Sequence, residues 1–183
     1  MKKKITVCIL FLVVCLCISC RQGSREITTN AIGADSLVAP RYATCYQVKD
    51  SGGVRLVDVG KDYHFALVSA EDVDVPDGYT KIRVPIKYTI CMTALQLSNF
   101  TILDAHDVVK GLTGTKNLFN KDILQRVKDG RIVKIGMEGN FDTEMIIAAN
   151  PDVIFISPFK RGGYEGIKET GITLVPHLGY KES

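Results

Sequence analysis

The chain has 183 residues, 46% of them hydrophobic and 23% charged, with six cysteines and no tryptophan. That balance excludes a disordered polymer and a collagen-like repeat. The formal net charge of +3 rests on Lys2, Lys3 and Lys4; beyond them basic and acidic residues are equal in number, so no electrostatic footprint for nucleic acid remains and none is expected as a partner.

Lys2 to Lys4 precede an apolar run from Ile5 to Ile18, interrupted only by Thr6, the charged and apolar regions of a secretory signal. The run is shorter than the about 20 residues an ordinary transmembrane helix needs. It closes on Ser19-Cys20, and polar residues follow. A small residue directly before a cysteine at this place resembles the lipobox of bacterial lipoproteins, which implies lipidation of Cys20. Residues 1–19 are therefore expected to be a signal peptide and 20–41, which lack periodicity, a polar tether. Cys45 and Cys91 could pair in an oxidising compartment, but Cys91 lies in the apolar run Thr89–Met92, which favours a buried free thiol.

Residues 42–87 read as an accessory β segment. Tyr42–Val48 and Val54–Val59 flank Asp50-Ser51-Gly52-Gly53, a hairpin signal, and Phe65–Val68 and Thr80–Val84 are further short strands separated by turn residues such as Pro76-Asp77-Gly78. From Tyr88 the period changes. Expected strands at Tyr88–Met92, Val108–Leu112, Ile132–Ile135, Val153–Ser157 and Thr173–Val175 alternate with helices starting near Ala94, Lys121, Thr143 and Gly163. Strand and helix in alternation, with short connections, imply a parallel sheet flanked by helices: an α/β lobe over 88–183 with the β segment as an N-terminal accessory. Val153-Ile154-Phe155-Ile156 is apolar throughout, as a strand buried on both faces should be.

Three helix starts share one chemistry. Thr93-Ala94-Leu95-Gln96 is a capping box, and Asn120 and Asp142 are caps of the other two helices. Met92, Phe119 and Phe141 precede the caps and stand at hydrophobic-staple spacing from Leu97, Leu124 and Ile146. In an open parallel sheet ligands bind outside the carboxyl ends of the strands, where these turns lie.

Val84–Cys91, Val109-Lys110-Gly111-Leu112-Thr113, Ile135–Asp142, the helix followed by Asn150-Pro151-Asp152 and an apolar strand, and Thr170-Gly171-Ile172 come in an order that resembles the N-terminal lobe of a periplasmic substrate-binding lipoprotein from an ABC importer of the iron-siderophore and cobalamin class. The resemblance implies one Rossmann-like lobe of a bilobal binding protein. The second lobe and its connecting helix are expected to be absent, because the chain stops at Ser183. It further implies an ABC permease as partner, chelated iron, haem or a corrinoid as ligand, and a periplasmic location with the lipid at Cys20 as membrane anchor; no cofactor is called for.

The resemblance turns the loops 93–96, 115–117, 138–141 and 159–161 towards ligand. The candidate contacts are Thr93, Gln96, Lys116, Asn117, Asn140, Phe141, Lys160 and Arg161. Gln96 serves equally as capping partner, and Phe141 as staple. Glu165, in the first turn of the last helix, is the candidate for permease docking, though an acid there is also favoured by the helix dipole. His64, His106 and His177 have no partners at metal-ligand spacing, and no nucleophile elbow or Walker loop occurs, so no enzymatic activity is expected. The alternative is an envelope lipoprotein with a structural or enzymatic role on a similar lobe.

Overall fold

The computed structural model describes residues 36–38, 40–116, 118–137, 139–158 and 163–181. The expected signal peptide and Cys20 lie outside them. Twelve strands and four α-helices are formed among the described residues, in two larger sheets and one small hairpin.

The accessory segment folds as a five-stranded sheet in sequential order: β1 (Ser36–Val38), β2 (Tyr46–Ser51), β3 (Val54–Val59), β4 (Tyr63–Val68) and β5 (Thr80–Arg83). The β2–β3 hairpin closes where the Gly pair predicts, with Ser51 opposite Val54 and Gly52 and Gly53 at positive φ. One feature departs from the sequence reading. Ser36–Val38 pairs antiparallel with Val48–Asp50, so chain assigned to the tether as far as residue 41 already belongs to the sheet. Strand β5 runs parallel to β4 and is reached through the loop 69–79. That loop covers one face, where Val73, Val75 and Tyr79 pack on Val54, Ala66 and Val68. The opposite face contributes Phe65, Ile82, Val57 and Val59 to a core shared with Val153, Phe155 and Val175 of the parallel sheet.

The second sheet is parallel, in the order β12 (Thr173–Pro176), β11 (Val153–Ile156), β6 (Thr89–Cys91), β7 (Val109–Leu112), β8 (Val133–Lys134). Helices α1 (Ala94–Ile102), α2 (Lys121–Lys128), α3 (Thr143–Ala149) and α4 (Glu165–Lys168) link the strands. From β6 the chain winds outward through β7 to β8, then returns past β6 to place β11 on its other side. Crossovers of one hand put helices on opposite faces when the winding direction reverses. Accordingly Leu97, Phe100, Ile123 and Val127 from α1 and α2 pack on Cys91, Val109 and Leu112. Ile146 and Ile167 from α3 and α4 pack on Ile90, Ile154 and Ile156 on the other side. The α/β class and the parallel sheet flanked by helices are as the sequence predicts. Val153, Ile154 and Ile156 are all buried, as expected of a strand covered twice.

All three caps form. Thr93 Oγ1 accepts from the Gln96 amide at 3.3 Å while Gln96 Oε1 accepts from the Thr93 amide at 3.0 Å. Asn120 Oδ1 accepts from the amides of Asp122 and Ile123, and Asp142 Oδ1 from that of Met145. The staples divide. Phe141 packs in the same cluster as Ile146. Met92 continues the alternation of Ile90 onto the α3/α4 face, whereas α1 carries Leu97 over the opposite face, so this pair is split between two cores. Phe119 is 86% exposed, and Leu118 before it takes the inward place beside Ile123.

The Asn-Pro-Asp unit has a structural explanation. Asn150 ends α3 in the left-handed conformation (φ 46°), and Pro151 blocks further helix. Asp152 Oδ2 then accepts from the amides of Lys87 and Tyr88 at 2.6 and 2.8 Å, which clamps the start of β6 beside β11. At the end of α4, Thr170 Oγ1 donates to the Ile167 carbonyl at 2.6 Å, and Gly171 takes φ +74°.

Candidate functional site

The winding reverses between β6 and β11, and a crevice outside the carboxyl ends of strands at such a switch is where open α/β sheets bind ligands. Beside that switch, beyond the carboxyl ends of β6 and β7, lies a cleft of about 320 Å³. Its walls include Thr93, Ala94 and Leu95 at the start of α1, Thr113, Gly114 and Lys116 after β7, and Tyr180 after β12. Thr113 Oγ1 donates to the Met92 carbonyl at 3.0 Å and so ties the two strand ends together. The first amides of a helix are unsatisfied within it and carry positive partial charge. With the Lys116 ammonium in the same wall, the cleft favours a ligand that presents negative charge. Cys91 lies at its base; burial pushes its thiol up to about 12, so it is a neutral packing group and no nucleophile. Cys91 is a buried free cysteine.

The candidate residues are placed as follows. Thr93 and Lys116 line the cleft together. Gln96 is buried beneath it at 1% exposure, with Oε1 accepting from the amides of both Met92 and Thr93. Its Nε2 and the Ser157 hydroxyl, just past β11, are buried without a hydrogen-bond partner among the described residues. Asn140 is exposed on the hairpin of β9 (Gly136–Met137) and β10 (Asn140–Phe141), a pairing the sequence reading took for a plain loop. Phe141 stacks on Tyr164, with centroids 5.6 Å apart and planes 8° from parallel, so its ring is a fixed part of the α3/α4 core. The Glu165 carboxylate accepts from the Gly163 amide at 3.2 Å at the start of α4, two residues later than the sequence suggests for that helix. Asn117, Lys160 and Arg161 lie outside the described residues, as does Cys20.

Tyr180 and Ser157 escaped sequence reasoning. Tyr180 stands past the last strand, where periodicity ends, and only the position of β12 two strands from β6 brings it to the cleft. The histidines serve locally. His64 Nδ1 lies 2.7 Å from Asp58 Oδ1, which also accepts from the Tyr79 hydroxyl at 3.0 Å. Burial works against ionisation of Asp58, yet these bonds hold its carboxyl below the usual range. His106 sits against Asp122, which Arg126 also grips. His177 pairs with Asn99 at 3.2 Å. Among the described residues no group of three His, Cys, Asp or Glu side chains is placed to hold a metal ion, and no helix is long and apolar enough to cross a membrane.

No protein-family model matches the chain. It is 33% identical over 119 residues to an uncharacterized lipoprotein of Methanocaldococcus jannaschii, a match covering 58% of this chain and 28% of that protein. Similar solved structures include the periplasmic vitamin B12 binding protein of Vibrio cholerae, at 14% identity and a TM-score of 0.40, covering 50% of this chain and 34% of that one. The petrobactin-binding protein of Bacillus subtilis shares 20% identity at a TM-score of 0.43, over 58% of this chain and 38% of that one. A Staphylococcus aureus protein complexed with staphyloferrin B shares 20% identity at 0.42, over 60% and 37%. The chain thus spans 28% of the length of the lipoprotein and at most 38% of each of these structures.

Proposed function

We propose that this chain is the lipid-anchored substrate-binding component of an ABC importer, held in the periplasm through Cys20, and that it captures chelated iron, haem or a corrinoid for a permease. The observation that carries the reading is the cleft beyond the carboxyl ends of β6 and β7, where Thr93, the start of α1 and Lys116 converge on one volume. Ferric siderophores and haem carboxylates present the negative charge such a wall attracts. The match to a lipoprotein agrees with the Ser19-Cys20 pattern. Asn117, Asn140, Lys160 and Arg161 are proposed as further ligand contacts and Glu165 as a permease-facing carboxylate. Capture and delivery need no bond-making, which fits a cleft whose one thiol is held neutral.

The test is tyrosine-fluorescence titration with ferric catecholate, ferrichrome, haemin and cyanocobalamin, on the wild type and on Lys116→Glu. Reversing the charge is expected to weaken the anionic ligand that binds by about tenfold or more, the equivalent of one charge-assisted contact. Binding that ignores Lys116→Glu, or no binding to any of the four, would remove the support for this reading.

A further inference from the structure

A second and larger concavity, about 650 Å³, lies between the accessory sheet and the turns that follow β11 and β12. It falls in the size range of small-molecule sites, about 300–1,000 Å³. Strand register builds its wall: Tyr46 of β2 is opposite Val59 of β3, and Val59 is opposite Tyr63 of β4. Directly paired residues point to the same face of a sheet. The three therefore form one row, on the face whose next members, Val57 and Phe65, are sealed against the parallel sheet. Where the row runs past that shared core the two phenols emerge, 40% and 36% exposed.

Adjacent strands lie about 4.8 Å apart, so about 10 Å separates the two tyrosines across Val59. Carbon atoms in contact sit about 3.5–4 Å apart, and one flat ring between two phenols needs about 7 Å. The backbone spacing of the row therefore leaves room for a planar aromatic group above Val59, with the phenols leaning in by about 3 Å in total to meet its two faces. Leu178 closes the far side, within 3.5 Å of where a Cβ on Gly60 would stand. Among the described residues, Lys61, Lys181 and one carboxylate, Asp62, also line the groove.

We propose that this groove is a second binding site, separate from the cleft beyond β6 and β7, which takes a flat aromatic anion: the ring stacked between Tyr46 and Tyr63, the acid group met by Lys61. The probe is 2-naphthoate, titrated calorimetrically against the full chain, with 2-naphthamide as the uncharged counterpart. Tyr46→Ala and Tyr63→Ala are each expected to weaken naphthoate about tenfold, the worth of one ring contact with its buried area, while Tyr46→Phe retains it. Lys61→Glu leaves both rings in place and is expected to weaken naphthoate while sparing the amide. Circular dichroism and thermal melts establish that each variant folds. No heat at about 1 mM naphthoate overturns the site. So does binding that is indifferent to both tyrosines, which would put the ligand elsewhere, and equal affinity for acid and amide overturns the anionic assignment.

Discussion

Gly111 lies in the interior of β7, where a missing side chain marks a close approach. A Cβ built there would stand 2.9 Å from Ile90 Cγ1, 3.1 Å from Ile135 Cγ2 and 3.3 Å from Ile90 Cδ1. Ile90 and Ile135 are both fully buried in the α3/α4 core, so neither can swing into solvent. Forcing one methyl into such a core costs about 1–3 kcal/mol. Replacing a strand glycine by alanine recovers about 0.5–1 kcal/mol of chain entropy. Gly111→Ala is therefore expected to destabilise the protein by about 1–2 kcal/mol, seen as a fall in Tm of about 2–8 °C in a chain of this size. The built-in control is Gly114→Ala, three residues on, where nothing lies within 4 Å and no positive φ is needed. That variant is expected to be neutral or about 0.4–1 kcal/mol more stable. Paired calorimetric melts decide the matter: if Gly111→Ala melts at or above the wild-type temperature, the packing argument at β7 is wrong.

Three further outcomes follow from the same structure. Burial lowers the pKa of His177, so below its ordinary value near 6.5 the unfolded chain binds a proton that the folded one resists. Stability is therefore expected to be full above pH 6.5 and to fall as the pH drops through the window beneath it, and His177→Gln should flatten that slope in urea melts between pH 5 and 7. Cys91, with its thiol pushed up to about 12, should escape iodoacetamide at pH 8 in the folded protein and react in guanidinium, as peptide mass mapping will show; native labelling would contradict its burial. Metabolic labelling with a palmitate analogue should tag the wild type and not Cys20→Ala, and equal tagging of both would remove the anchor from the proposed function.

What the sequence determined by itself is whatever depends on neighbours a few residues away. The caps at Thr93, Asn120 and Asp142, the hairpin at Gly52-Gly53 and the double burial of Val153–Ile156 were legible because each is a contest between backbone hydrogen bonds, side-chain acceptors and apolar spacing within one or two turns. That the turns after parallel strands share one end of the sheet was legible too, and with it the place of Thr93 and Lys116 in the wall of one cleft. Only the tertiary structure decided which face each residue took. Met92 and Leu97 have staple spacing, yet strand alternation and the path of α1 send them to opposite cores. Ser36–Val38 has no periodicity of its own and becomes a strand through the edge that β2 offers. Tyr180 reaches the cleft, and Tyr46 and Tyr63 come to flank Val59, through strand order and register, which are set by contacts between residues far apart in the chain that local spacing does not encode.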